Sequence, residues 1–230
     1  MDTKLKQEMN TYYNERAQEF DQFYLEGMGP ASIDNPGIYR EETRELQRVL
    51  EKEKLQGTVY DICCGTAFWL SSYYKAADRI VLADQAEKMI GRARERALSL
   101  KCIEKCSFHV TDAFDIDKIA GNEKADAVFS GFFISHMTEQ REKEFFRIIK
   151  SMLDPEGKII IFDSTWNEER EKVRIREGLQ ERELNNGDKF TIYKKYFTIE
   201  DLEKISVREN LSLSVEFFGQ TFFAAVFMRR

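Results

Sequence analysis

Acidic residues stand at the ends of three apolar runs in the first half of this chain. Asp61 sits within Val59-Tyr60-Asp61-Ile62, Asp84 closes Ile80-Val81-Leu82-Ala83, and Asp112 follows Ser107-Phe108-His109-Val110-Thr111. Just after the first run comes Cys63-Cys64-Gly65-Thr66-Ala67, a turn of small residues that lets the chain bend sharply and bring backbone N–H groups close to a ligand. A carboxylate about 20 residues past such a turn is placed to accept hydrogen bonds from both hydroxyls of a ribose. Asp84 holds that position. The chemistry indicated is the binding of a nucleoside-containing cofactor.

Spacing separates two such cofactors, NAD and S-adenosylmethionine. A dinucleotide fingerprint asks for a third small residue where this chain has Phe68, so the pyrophosphate reading weakens. The tighter small-x-small-x-small spacing of Cys63, Gly65 and Ala67 fits a loop around a compact amino-acid tail. Asp61, just before it, is placed to position a water or a loop N–H near that tail. Asp112, with Ala113 beside it, is expected to accept a hydrogen bond from an adenine amino group.

The elements that position these residues alternate. Strands are expected near 58–62, 79–83, 106–110, 125–130 and 157–163, with helices over 68–75, 87–98 and 139–152; in the last, Phe145, Ile148, Ile149 and Met152 recur at helical spacing. The pattern predicts an α/β fold with a doubly wound, mostly parallel sheet. Ligands of such sheets bind at the carboxyl ends of the strands, where Asp61, Asp84, Asp112 and Ser130 all fall. Met89, one turn into the helix after Asp84, is placed to pack on an adenine face, although a core methionine is equally ordinary.

With those motifs in order, the chain resembles the class I (Rossmann-like) S-adenosylmethionine-dependent methyltransferases of small-molecule type. The resemblance rests on Tyr60-Asp61-Ile62-Cys63-Cys64-Gly65-Thr66-Ala67, on Val81-Leu82-Ala83-Asp84-Gln85-Ala86-Glu87-Lys88-Met89-Ile90 and on Val110-Thr111-Asp112-Ala113. It continues through Ala125-Asp126-Ala127-Val128-Phe129-Ser130 and Leu153-Asp154-Pro155-Glu156-Gly157-Lys158-Ile159-Ile160-Ile161. It implies a seven-stranded sheet closed by a C-terminal antiparallel hairpin over 213–227, with S-adenosylmethionine as cofactor and S-adenosylhomocysteine as product. The implied cofactor contacts are Tyr13, Arg16, Asp61, Cys63, Gly65, Asp84, Gln85, Met89, Asp112, Ala113 and Ser130. Cys63 and Ala67 stand where the family usually has glycine, and Ala67 would resist a positive φ.

Outside the core, Met9, Tyr13, Ala17, Phe20 and Tyr24 fall on one helical face with Arg16 beside them, similar to the N-terminal lid of small-molecule methyltransferases. A Tyr and an Arg there would hold a cofactor carboxylate; the plainer reading is a helix packed on the sheet. The expected organisation is a single domain: lid 1–55, cofactor core 56–165, substrate cap 166–197, and C-terminal helix and hairpin 198–230. Within the cap, 167–176 reads as a charged helix with Glu168 paired to Lys172, then Asn185-Asn186-Gly187-Asp188 as a turn before the extended Phe190-Thr191-Ile192-Tyr193.

His136 follows the fourth strand on the side where cofactor and acceptor should meet. An imidazole there is a candidate base for a hydroxyl acceptor, or else a loop hydrogen-bonder; His109 reads as structural. The 13% aromatic content, with Phe132, Phe133, Trp166, Phe190, Tyr193, Tyr196 and Phe197 after strands or in the cap, suits a small apolar or aromatic acceptor, methylated on oxygen or on nitrogen. Interleaved charges, netting −6, give no basic stripe for nucleic acid, and no run of about 18 apolar residues offers a membrane span. The N-terminus lacks a leader pattern, so a cytoplasmic protein is expected. The four cysteines lack metal-site spacing and read as reduced and structural, and no carboxylate cluster suggests a metal. An NAD-dependent oxidoreductase and a non-catalytic cofactor-binding regulator remain the alternatives.

Overall fold

The computed structural model describes residues 3–26 and 36–230; of the expected lid, residues 1, 2 and 27–35 lie outside the described residues. Three N-terminal helices, α1 (Thr3–Arg16), α2 (Gln22–Glu26) and α3 (Pro36–Glu53), precede strand β1 (Gly57–Ile62). The alternating core follows as α4 (Leu70–Tyr73), β2 (Ala77–Asp84), α5 (Glu87–Ser99), β3 (Cys106–Val110), α6 (Ile116–Ala120), β4 (Ala125–Gly131), α7 (Glu139–Met152) and β5 (Leu153–Ser164). A short helix α8 (Glu168–Glu171) leads into a separate hairpin of β6 (Glu177–Glu183) and β7 (Lys189–Lys195). Helix α9 (Ile199–Glu209), β8 (Leu211–Phe218) and β9 (Phe222–Arg229) complete the chain.

The main sheet has seven strands in the order β3-β2-β1-β4-β5-β9-β8. The first five are parallel, and β9 enters antiparallel between β5 and β8. Strand order reverses between β1 and β4, which opens a crevice at their carboxyl ends. Both faces are covered, so the inner strands carry unbroken buried runs such as Val59-Tyr60-Asp61-Ile62 and Ile80-Val81-Leu82-Ala83 rather than an alternation. Helix α7 buries Phe145, Phe146, Ile148, Ile149 and Met152 against one face, and α3 and α5 cover the other. The Rossmann-like, doubly wound arrangement read from the sequence is the one observed.

Three local expectations are corrected. The N-terminal amphipathic face is not one helix: α1 stops at Arg16, the chain turns through 17–21, and the fully buried tyrosine is Tyr12 rather than Tyr13. The helix expected over 68–75 shrinks to Leu70–Tyr73, because Ala67 takes a left-handed conformation and the helix can start only after it. The charged helix expected over 167–176 is only Glu168–Glu171, and Lys172 pairs with Glu169, not Glu168. From Glu177 the chain is extended, because pairing with β7 gives it a buried face of period two, carried by Gln180 and Arg182.

The hairpin is clasped at its base and tied on its flank. Thr165 bridges Phe197, Trp166 N–H donates to Phe197 O at 2.7 Å, and Phe197 N–H donates to Ser164 O at 3.0 Å. On α7 the fully buried Glu142 accepts from Arg208 of α9 at 2.9 Å and faces Lys195 of β7 at 3.4 Å, so one carboxylate joins three elements. Removing it in Glu142→Ala leaves Lys195 without its carboxylate and Arg208 with only Glu209 and Glu139, and is expected to lower the unfolding free energy by about 2 kcal/mol. Urea denaturation reads this, and an unchanged midpoint would show that the cluster fastens nothing.

Candidate functional site

Beyond β1 the backbone makes a turn that L-residues resist. Cys63, Gly65 and Ala67 all have positive φ, at 57°, 54° and 53°. For the two non-glycines this costs about 1–2 kcal/mol each, so the surroundings must hold the loop in place. They do so with backbone hydrogen bonds: Cys64 N–H donates to Ala83 O at 3.0 Å and Ala67 N–H to Cys64 O at 2.8 Å. At Gly65 an added Cβ would be strained by the positive φ and would lie 3.2 Å from the Phe20 ring, which would have to yield by a few tenths of an ångström.

Asp84, at the end of β2, braces the same loop. Its Oδ2 accepts from Gly65 N–H at 2.9 Å and its Oδ1 from Ala86 N–H at 2.8 Å, at the entry to α5. Each oxygen keeps a lone-pair direction for a further donor. Burial raises its pKa, against which the Ala86, Gly65 and Gln85 amides pull it down. Asp112, at the end of β3, accepts from Phe114 N–H at 3.1 Å and pairs with Lys6 of α1. These acids line one cavity together with Cys63, Gly65, Gln85, Met89 and Ala113.

Two expected contacts lie behind the cavity wall instead. Asp61 is buried, accepts from the Tyr73 hydroxyl at 2.7 Å, and leaves Oδ1 without a partner among the described residues. Burial pushes its pKa up to about 7, with the Tyr73 hydrogen bond opposing and Asp84 adding to the rise. Ser130 is also buried and donates to Ile62 O at 2.9 Å, joining β4 to β1. The next residues replace it at the wall: Gly131, then Phe132 at φ 61°, a bulky side chain in a left-handed conformation.

His136 is buried in a 3-10 turn, Ile134–His136, after β4. Its Nδ1 lies 2.7 Å from Tyr193 O of β7 and its Nε2 lies 2.7 Å from the Tyr13 hydroxyl of α1. A carbonyl only accepts, so Nδ1 carries the proton and Nε2 accepts from Tyr13. Burial lowers the imidazole pKa well below its ordinary value, and Lys194, Arg182 and Arg16 lower it further while the Tyr193 carbonyl opposes. The ring is therefore neutral at physiological pH. Arg16 also lines the cavity, with its guanidinium 5.0 Å from the Phe20 ring centroid.

Sequence reasoning missed a set of cations. Arg170 of α8, Arg182 of β6 and Lys194 of β7 all line the cavity and all are buried. In β6 only the period-two alternation of Gln180 and Arg182 hinted at an inward face; nothing in the sequence distinguishes Lys194 from its outward neighbour Lys195. The aromatic wall also differs from expectation. Phe132 and Phe133 line the cavity, but Trp166, Phe190, Tyr193, Tyr196 and Phe197 do not, and Phe20, Phe23, Tyr24, Tyr39 and Phe222 take their place.

Residues 59–157 match the family described as "Methyltransferase domain". No curated protein matches the chain significantly. Among solved structures, the "DhpI-SAH complex structure" superposes with a TM-score of 0.79 at 22% identity, covering 100% of this chain and 98% of that one. The "DhpI-SAM-HEP complex" gives a TM-score of 0.79 at 21% identity, with 99% of each chain covered. The magnesium protoporphyrin IX methyltransferase (ChlM) from Synechocystis PCC 6803 with bound SAM gives 0.61 at 14% identity, covering 96% and 95%. These likenesses concern the fold. The family match runs from β1 to the start of β5, the stretch that holds the strand ends flooring the cavity, and over those residues the chain is similar to a methyltransferase domain with a Rossmann-like fold.

Proposed function

We propose that the protein transfers a methyl group from S-adenosylmethionine to an oxygen atom of a small molecule held in the cavity over the β1 and β4 ends. The observation that carries this is convergence: the left-handed loop, Asp84 and Asp112 reach one cavity from three adjacent strands, and Tyr13 and His136 face the same space. The residues fit the cofactor. Asp84 keeps acceptor capacity for a ribose after bracing the loop, Met89 and Phe114 offer apolar walls to a base, and Arg16 has no carboxylate partner among the described residues. Asp112 would accept from the adenine amino group, sharing its carboxylate with Lys6. Asp61 keeps one buried oxygen for a water or a donor behind the loop.

Bound there, the cofactor would supply an electrophilic methyl group on a sulfonium, open to in-line attack by an oxygen with the thioether of S-adenosylhomocysteine as the leaving group. The protein's share is to hold that oxygen, exclude water and accept its proton where it has one. Neutral His136, whose Nε2 accepts from the Tyr13 hydroxyl, is the group placed to receive a proton by relay, the Tyr13 oxygen taking the acceptor's hydroxyl proton as Tyr13 passes its own to Nε2. The aromatic wall and the roof of α1 on the β6–β7 hairpin keep the space dry. The roof is built from Met9 and Tyr12 against Leu184 and Ile192, and is pinned where Thr191 N–H donates to Glu8 at 2.6 Å. We take the hairpin as the cap that shapes the acceptor. The neighbours' own acceptors do not transfer to this chain, since MtfA is described as a glycopeptide N-methyltransferase and ChlM acts on a porphyrin.

Calorimetric titration tests the cofactor. S-adenosylhomocysteine is expected to bind in the micromolar range, NAD not to bind, and Asp84→Ala to weaken binding at least ~10-fold, equivalent to about 1.4 kcal/mol. Binding of NAD alone would overturn the reading. For the proton acceptor, His136→Ala is expected to lower kcat by at least ~100-fold at unchanged S-adenosylhomocysteine affinity, and equal turnover would remove that role. The raised pKa of Asp61 also has a sign that calorimetry can check. The folded state favours its neutral acid, so that stability is full below about pH 4 and is lost as pH rises to about 7. Asp61→Asn should escape that loss, gaining on the wild type by up to about 4 kcal/mol across the window; parallel stability curves would count against it.

A further inference from the structure

Three cations are buried at the cap side of the cavity, and they are poorly neutralised. Arg170 and Arg182 are in no ion pair among the described residues, and Lys194 alone has a carboxylate, Asp163 at 3.2 Å. Arg170 donates to Thr221 O at 3.1 Å and stacks 4.5 Å over the Tyr196 ring, while its Nε is buried with no partner. Arg182 donates to Glu181 O and to Gln180 Oε1, both at 2.9 Å. Asp163 is further occupied by Ser135 N–H at 2.9 Å and Ser164 N–H at 2.8 Å. The other nearby buried acid, Glu42, is saturated by Gln220, Thr221 and Phe222 and does not line the cavity.

This concentration of charge is visible in neighbouring groups. Burial alone would raise the Tyr196 phenol, yet Lys194, Arg170, Arg182 and Arg174 outweigh it and hold its pKa below the ordinary value. Buried cations without counter-ions cost several kcal/mol each, and a purely structural cluster would be paired or replaced by apolar side chains. The surrounding sequence makes the arrangement more pointed. Helix α8 is Glu-Glu-Arg-Glu, and it turns its one arginine inward and its glutamates to solvent. In the hairpin, Arg182 and Lys194 share the inner face while Glu181, Glu183 and Lys195 take the outer one.

We infer that the methyl acceptor is a small organic acid whose oxyanion, a carboxylate or a phosphoryl group, is bound by Arg170, Arg182 and Lys194. This rests on the proposed methyltransferase reading and names its substrate class. Guanidinium groups suit it because they present paired N–H donors to planar or tetrahedral oxyanions, and Arg170 and Arg182 both line the cavity. Arg16, beside Phe20, is left for the cofactor's own carboxylate. The acceptor's apolar body then lies along Phe132, Phe222 and Tyr39, reconciling an aromatic wall with a charged end.

The test is differential scanning calorimetry of the protein loaded with S-adenosylhomocysteine, titrated separately with inorganic phosphate, acetate, trimethyl phosphate and acetamide at constant chloride. At least one anion is expected to raise Tm by about 3 °C at tenfold saturation, its neutral counterpart leaving Tm unchanged. Phosphate alone assigns a phosphoryl acid, acetate alone a carboxylic acid, and both a site generic for oxyanions. Arg182→Gln and Arg170→Gln are expected to weaken the effective anion at least ~10-fold while S-adenosylhomocysteine affinity stays within about threefold. If no anion shifts the loaded wild type, or the shift persists in both variants, the inference falls although the methyltransferase reading stands. Failure of S-adenosylhomocysteine to bind at all overturns that reading instead.

Discussion

The carboxylate of Asp84 is the constraint on which the loop end of the cavity depends. By accepting from Gly65 on one side and Ala86 on the other, it holds a strained loop and a helix entry against a single strand end. Without that brace, Cys63 and Ala67 would have little to keep them in left-handed conformations that their Cβ atoms oppose. Phe132 repeats the pattern across the sheet reversal, held by its N–H donating to Phe162 O at 2.7 Å and wedged among Trp69, Tyr24 and Phe222. Strain thus lies on both sides of the crevice and is absorbed by the rigid sheet between.

A second junction joins parts distant in sequence. The His136 ring takes a hydrogen bond from Tyr13 of the N-terminal helix and gives one to the Tyr193 carbonyl of the hairpin. The sheet core, the N-terminal helix and the hairpin therefore meet at one imidazole, and its tautomer is fixed by the chemistry of a carbonyl. A neutral ring there is consistent with the cations around it, which make a further positive charge costly.

The sheet was legible in the sequence because buried parallel strands are continuous apolar runs, and the strand-end acids stood out against them. Asp84 and Asp112 were found that way and line the cavity; Asp61 and Ser130 share the same strand-end logic but point behind the wall, a distinction that depends on which side of the strand a residue faces. Helix lengths after the loop were misjudged because one left-handed residue, Ala67, delays a helix and leaves no trace in periodicity. The buried cations were illegible for a different reason. Arg170 lies among glutamates and Lys194 beside Lys195, so composition describes a solvated segment, and only pairing of β6 with β7 decides which charges turn inward.

The base of the hairpin carries an evolutionary consequence. Because Ser164, Thr165 and Trp166 meet Phe197 directly, the chain leaves the sheet and returns to it at nearly the same point. The intervening segment is a cassette: it could be lengthened, recoiled or exchanged for another without altering the register of any strand in the main sheet. The cap side of the cavity could then change shape through that cassette alone, while the strand ends that floor the cavity stay as they are.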